Sequence, residues 1–198
     1  TTNGSYHVEP VTFTWMVNPN GDKSLISYLR DKMMPEISET LLDRYLVENC
    51  FYGEFYDMMD PERGWVMDSN EPRYLVNYYG IRNRLGILNE NYIYADFKSR
   101  VLGCYNLIHS LMDYAAAHYN EIKNLIADAD RKTIARGIES DKTGSFATEY
   151  KVKPAEKKVT VKTFEAEFIS ESDGWKNYKK SERQKTVTVP YYIDYYPV

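Results

Sequence analysis

No stretch of this 198-residue chain is apolar for long enough to cross a bilayer. A membrane-spanning helix needs about 18–20 consecutive apolar residues, whereas apolar runs here, such as Leu41-Leu42 and Ala115-Ala116-Ala117, are short. The hydrophobic content of 43% is nevertheless enough for a folded core. We therefore expect a chain without a membrane span, which folds as one domain or as one domain with a modest appendage.

Catalytic signatures are also missing. The sequence has no G-x-x-x-x-G-K-[ST], G-x-G-x-x-G, G-x-S-x-G or H-E-x-x-H motif. His109 and Asp113 share one helical face, but His118 follows His109 by nine residues and so lies on the opposite side. We therefore predict no catalytic residues, no metal and no cofactor. A hydrolase with two carboxylates is retained as a minor alternative, because such pairs are defined only in three dimensions.

Cysteine is scarce, with Cys50 and Cys104 as the only two. A pair of cysteines in an oxidising compartment could form one disulfide. Two buried free thiols are the other interpretation, and the sequence leaves both open.

The charge is distributed unevenly along the chain. Residues 142–198 hold 11 Lys or Arg and 8 Asp or Glu, a net charge of +3, which leaves 14 against 21, a net of −7, in residues 1–141. A net charge of +3 is far below the dense basic stripe of a nucleic-acid-binding surface. We expect no nucleic-acid partner.

Helical periodicity dominates two segments. Apolar residues recur every four positions from Leu25 to Tyr45, which predicts a helix from Lys23 to about Asn49 with a kink at Pro35. A second, longer helix capped by Asn91 is predicted from a 4-3 spacing of apolar residues. This seam consists of Phe97, Val101, Cys104, Ile108, Leu111, Ala115, Tyr119, Ile122 and Ile126. We expect the seam to pack against residues 23–49 in an antiparallel arrangement.

Strand-like alternation marks both ends of the chain. Val11, Phe13, Trp15 and Val17 predict an N-terminal strand over 11–17 with one apolar face. In the tail, the pattern predicts a strand from Val159 with a bulge near Thr163 and a turn at 171–174. Residues 176–185 are predicted to be a charged connector. A last strand over 187–195 contains Pro190, which favours an edge position or a bend.

The predicted fold class is α+β. It combines a long antiparallel helical hairpin or small helical bundle with a C-terminal antiparallel β-sheet that an N-terminal strand joins. The predicted division is a mainly helical body at 1–141, which includes the strand at 11–17, and a β-rich tail at 142–198 packed on the same domain.

Tyrosine is abundant, at 19 residues. A tyrosine buries a large ring and keeps a polar tip, which suits recognition surfaces. On the last strand Tyr191 and Tyr195 face one side, and Tyr192 and Tyr196 face the other, so one pair is expected to be exposed. The predicted binding residues are Tyr52, Tyr56, Trp175, Tyr191, Tyr192, Tyr195 and Tyr196. They indicate a protein partner or, as an alternative, a carbohydrate.

Two stretches, Phe51-Tyr52-Gly53-Glu54-Phe55-Tyr56 and Pro190-Tyr191-Tyr192, carry a family resemblance. The chain resembles uncharacterised exported or envelope proteins encoded near conjugation or surface machinery in Gram-negative bacteria. The resemblance implies a non-enzymatic role and export to the periplasm or cell surface, and it transfers no functional residues. A start at Thr1 rather than Met agrees with a removed signal peptide or with an expression boundary. The predicted function is a non-catalytic exported binding or assembly module, and a carbohydrate-binding accessory protein is the alternative.

Overall fold

A computed structural model describes residues 2–3, 6–67, 69–138 and 145–198, with the side chains of Thr2, Asn3 and Trp175 left out. About 40% of the chain is helical and 32% is in strands, so the prediction of a mixed helix and sheet fold is confirmed. The predicted boundary at 141/142 lies outside the described residues.

One sheet has the strand order β1-β6-β2-β3. Its strands are β1 (Thr2–Asn3), β2 (Val11–Trp15), β3 (Asn49–Phe51) and β6 (Ile87–Tyr92). β2 is central, antiparallel to β6 and parallel to β3, and all five of its residues are buried. The N-terminal strand is confirmed with Val11, Phe13 and Trp15 on one face, but it ends at Trp15 rather than at 17, and its polar face with Thr12 and Thr14 is buried as well. Buried Thr12 satisfies its hydroxyl by donating to the Glu90 carbonyl oxygen at 2.6 Å.

The first helical segment changes geometry just before Pro35. α1 (Lys23–Tyr28) starts at Asp22, whose carboxylate accepts the Ser24 amide at 2.9 Å. A π-helical turn (Leu29–Met33) follows, and α2 (Met34–Tyr45) carries Pro35 in its first turn. Because proline has no amide hydrogen, the first turn of a helix tolerates it best. The predicted break in the helix is present: a π turn ends just before Pro35, and a new helix begins there.

The second helical segment starts later than predicted. Asn91 belongs to strand β6 rather than to a helix cap, and the cap is Asp96, whose carboxylate accepts the Ser99 amide at 3.0 Å. The helix is interrupted at His118, which separates α4 (Phe97–Ala117) from α5 (Tyr119–Ile138). A shorter helix, α3 (Leu75–Ile81), precedes β6.

Helix α2 packs on α4, and α1 packs on α5. The Tyr28 hydroxyl lies 3.3 Å from that of Tyr114. Lys32 contacts Glu121 at 2.8 Å. Further along α2, Arg44 contacts Asp113 at 2.9 Å.

The predicted apolar seam is a packing surface only in part: Leu111, Ile122 and Ile126 pack half-buried against the core, whereas its first residues do not. The buried residues of α4 are Gly103, Leu107, Ser110 and Tyr114, which we call the inner face. Predicted seam residues such as Phe97, Val101 and Ile108 are exposed instead. Close approach explains the choice of face, because a Cβ atom on Gly103 would lie only 2.3 Å from Cγ2 of buried Val11. The helix therefore meets the sheet through its glycine rather than through its most apolar stripe.

The tail contributes to two sheets. The strands are β7 (Tyr150–Pro154), β8 (Val159–Ser172), β9 (Trp175–Val189) and β10 (Tyr191–Pro197). β8 and β9 form a long hairpin that turns at Asp173 and Gly174, both of which have positive φ. The register of this hairpin shifts just after Phe164, close to the predicted bulge. Residues 176–185 belong to β9, so the predicted connector is wrong. The alternating charges there lie on a two-stranded ribbon.

The last strand is an inner strand, so the expected edge position is wrong. β10 lies between β5 (Trp65–Val66) and β7 in a sheet of order β4-β5-β10-β7, where β4 is Glu54–Phe55. The predicted bend at Pro190 is present as a break between β9 and β10. Proline has no amide hydrogen to donate, so the strand pairing is interrupted there. Strands of the predicted body and of the predicted tail thus share one sheet.

Candidate interaction surface

Two of the predicted binding tyrosines are turned into the fold. Tyr191 is buried, and its hydroxyl donates to the Tyr52 carbonyl oxygen at 2.8 Å, while its ring stacks on Phe51. Burial raises the pKa of Tyr191 well above its usual range. The Tyr195 hydroxyl donates to the Met67 carbonyl oxygen at 2.8 Å. These contacts give Tyr191 and Tyr195 a structural role.

The other predicted residues do not form one exposed surface. Tyr56 and Tyr192 meet edge to face with their ring centroids 4.9 Å apart, and Tyr56 is half exposed. Tyr196 is exposed further along β10. The backbone of Trp175 pairs with Ser172 next to the hairpin turn, and its side chain lies outside the described residues.

A cavity of about 320 Å³ adjoins Tyr195 and Tyr196 and contains charged groups. Asp194 there lies 3.5 Å from Arg30 and 3.4 Å from Lys153. Arg30 also pairs with Asp31 at 2.7 Å, and the Asp31 carboxylate raises the pKa of the guanidinium. Arg30, Lys153 and Asp194 are therefore paired within the protein itself.

An exposed apolar surface runs along the side of α4 that points away from the fold, which we call the outer face. At about 100° per residue, it lies roughly opposite the inner face. Its five side chains are Phe97, Val101, Tyr105, Ile108 and Met112, which are 74%, 49%, 63%, 51% and 67% exposed. Monomeric proteins seldom expose an apolar patch of this kind without an interaction that uses it.

The outer face carries no formal charge along most of its length. From residue 101 through 112 the sequence has no Asp, Glu, Lys or Arg. A shallow groove of about 530 Å³ runs along it, lined by Cys104 and Tyr105 among others, with Arg100 at one end. Solvent-exposed helix faces normally alternate apolar with charged residues, so this face has the composition of an interface core.

Both cysteines are free thiols, which excludes the disulfide interpretation for this structure. Cys104 is half-buried beside the outer face, whereas Cys50 is buried in the sheet. Side-chain ligand atoms of His7, Glu9 and Cys50 all lie within 4.8 Å of one another. Burial raises the pKa values of Cys50 and Glu9 and lowers that of His7 to about 4. His7 is therefore neutral at pH 7.

Sequence patterns missed this buried cluster. His7 and Glu9 are two residues apart, a spacing that puts both side chains on one side of an extended chain. This spacing could have predicted that His7 and Glu9 lie together. Cys50 joins them only through the pairing of β2 with β3, which the spacing does not reveal. The histidines that the sequence did single out bind neighbouring side chains. His109 lies 3.0 Å from the Tyr45 hydroxyl, and His118 lies 3.1 Å from Glu121.

Comparisons with protein-family models, curated proteins and solved structures found no match to this chain. Within the described residues, no helix has the length and apolar character needed to cross a membrane.

Proposed function

We propose that this chain is a non-catalytic assembly module that pairs with a second copy of itself through the outer face of α4. The observation that carries the proposal is the run of five large, exposed apolar side chains on an uncharged helical face. Burial of such surface is the main favourable term in protein association.

The spacing of the outer face favours a second copy as the partner. Four of its five residues are symmetric about a point between Cys104 and Tyr105, and Tyr105 itself would face Cys104 of the other copy. When two such helices run antiparallel about a twofold axis at this point, Phe97 faces Met112 of the other copy. Val101 then faces the other copy's Ile108. A twofold interface requires this kind of self-complementarity.

The available area also supports a dimer. At about 100–150 Å² for each large side chain exposed to this degree, the five residues offer roughly 600 Å² per copy. A stable interface of standard size buries about 800 Å² per partner. Tyr119, 60% exposed at the start of α5, extends the face toward this size.

Sedimentation equilibrium tests the proposal with two matched variants. Ile108→Glu places a charge at the centre of the outer face, and we expect its dimer dissociation constant to rise at least 100-fold. Ile134→Glu changes an equally apolar residue on α5 that is 63% exposed, and its dissociation constant should stay within about twofold of the wild type. A wild-type chain that is monomeric at all concentrations, or an Ile108→Glu variant that dimerises normally, would refute self-association.

Export and a surface or periplasmic location remain predictions from the sequence. The dimer would serve there as a unit of a larger assembly, with the exposed ribbon of β8 and β9 available to a further protein. A wild-type monomer that instead binds an oligosaccharide would favour the carbohydrate alternative.

A further inference from the structure

The cluster of His7, Glu9 and Cys50 combines three ligand types in one buried place. His7 is fully buried, and neither Nδ1 nor Nε2 of its ring has a hydrogen-bond partner. Its Nδ1 lies 3.9 Å from Oε2 of Glu9. An imidazole with two unpaired nitrogens in the interior loses the hydrogen bonds that water would provide. Both ring nitrogens are therefore free to bind a ligand.

Backbone amides hold the Glu9 carboxylate in place. Its Oε1 accepts the Lys162 amide at 2.8 Å, and its Oε2 accepts the Val8 amide at 3.2 Å. The Cys50 thiol also hydrogen-bonds to this carboxylate, a contact that a metal ion between them would replace. The Tyr92 ring lies against His7, with the ring centroids 4.5 Å apart. The carboxylate and the imidazole are therefore both oriented before any ligand arrives.

We propose that His7, Glu9 and Cys50 bind one divalent zinc-type cation. Imidazole nitrogen, carboxylate oxygen and thiolate sulfur are the three donor types that zinc takes in proteins. Binding replaces the thiol proton of Cys50, which is released to solvent, and any proton on Glu9 leaves as well. One dication then balances one thiolate and one carboxylate, so the buried site has no net charge.

The distances fit after a small contraction. Bonds of about 2.0–2.3 Å to a tetrahedral ion place ligand atoms about 3.3–3.6 Å apart. The ligand atoms of the cluster already lie within 4.8 Å of one another, so each moves by about 1 Å or less. Water would take the fourth position, because the cluster supplies three protein ligands among the described residues.

The proposed ion would join three separate segments. His7 and Glu9 precede β2, Cys50 lies in β3, and the Lys162 amide that orients Glu9 belongs to β8. His7 also forms a β-bridge with Thr163. The site therefore stands where the base of the long hairpin meets the first sheet, and metal binding would stabilise this junction. The inference is independent of dimerisation through α4.

Titration of chelator-treated protein with Co²⁺ and then Zn²⁺ tests the site. We expect one equivalent of Co²⁺ to produce a thiolate-to-cobalt charge-transfer absorption in the near ultraviolet, and Zn²⁺ to abolish it. Cys50→Ser should remove the absorption and weaken Zn²⁺ binding at least tenfold. Cys104→Ser is the matched control, and it should retain both the absorption and the affinity.

The Cys104→Ser variant also makes the test independent of how well Cys50→Ser folds. Cys50 is the only thiol left in that variant, so a charge-transfer band there must come from Cys50. The absence of this band from folded Cys104→Ser protein at one equivalent of Co²⁺ would overturn the proposal. Persistence of the band in Cys50→Ser would overturn it as well.

Discussion

Leu107 and Ile108 are neighbours in the sequence, similar in size and hydrophobicity, and opposite in environment. Leu107 is 1% exposed on the inner face of α4, whereas Ile108 is half exposed on the outer face. Hydrophobicity alone does not decide between them. Gly103 does, because it lets the inner face approach β2. The comparison separates apolar residues that stabilise the monomer from apolar residues that remain available to a partner.

Leu107→Ala is expected to have the largest effect. Removing a fully buried leucine side chain costs about 2–5 kcal/mol of unfolding free energy, since it leaves a cavity. Ile108→Ala should change the unfolding free energy of the monomer by less than about 0.5 kcal/mol. Urea unfolding at a concentration where the chain is monomeric measures both values. Equal losses at the two positions would contradict the assignment of the faces.

Gly103→Ala should destabilise the fold by about 1–3 kcal/mol, because the new methyl group overlaps buried Val11. The control is Gly137→Ala, where nothing lies within 4 Å of the added Cβ. Gly137→Ala should stabilise the protein by up to about 1 kcal/mol through helix propensity alone. Glycine-to-alanine substitution is thus expected to lower the unfolding free energy at Gly103 and to raise it at Gly137. Stabilisation by Gly103→Ala would show that α4 does not approach β2 this closely.

Lys32→Met should have the smallest effect, and that effect should depend on pH. Lys32 lowers the pKa of Glu121 by hydrogen bonding to its carboxylate, and His118 lowers it further. A lowered folded-state pKa stabilises the fold above the unfolded-state pKa, and this contribution is lost as the pH falls through the folded-state value.

The melting temperatures of wild type and Lys32→Met should therefore differ at neutral pH and converge in acid. Lys98→Met, which removes an exposed lysine from the first turn of α4, should show no such convergence. A Lys32→Met difference that persists in acid would argue against an electrostatic origin.

Local patterns predicted much of the secondary structure. The alternation at Val11, the discontinuity at Pro35 and the turn at Gly174 depend on nearby residues, and each is present in the structure. Two strand segments that were predicted as something else, at Asn91 and over 176–185, are polar: Asn91 pairs with distant Val11, and 176–185 pairs across a local hairpin turn. Strand pairing supplies the stabilisation there, and periodicity cannot detect it.

The functional features were harder to predict for a different reason. Three outer-face residues, Phe97, Val101 and Ile108, belong to the predicted seam, but their exposure depends on which side Gly103 presents to the sheet. The cluster of His7, Glu9 and Cys50 requires the parallel pairing of β2 with β3. Two of the predicted binding residues, Tyr191 and Tyr195, instead donate their hydroxyls to hydrogen bonds within the fold, the first to the backbone carbonyl oxygen of Tyr52.

Disulfide cross-linking between engineered cysteines tests the proposed antiparallel dimer most directly. In a Cys104→Ser background, Phe97→Cys and Met112→Cys are prepared as two separate proteins and oxidised alone and as a mixture. At about 1.5 Å per residue along the helix, the proposed twofold axis places position 97 about 20 Å from position 97 of the partner copy, and the same holds for position 112. Position 97 of one copy instead lies next to position 112 of the other. We predict a covalent heterodimer in the mixture and almost none in either protein alone. Equal cross-linking in all three samples would contradict the proposed interface.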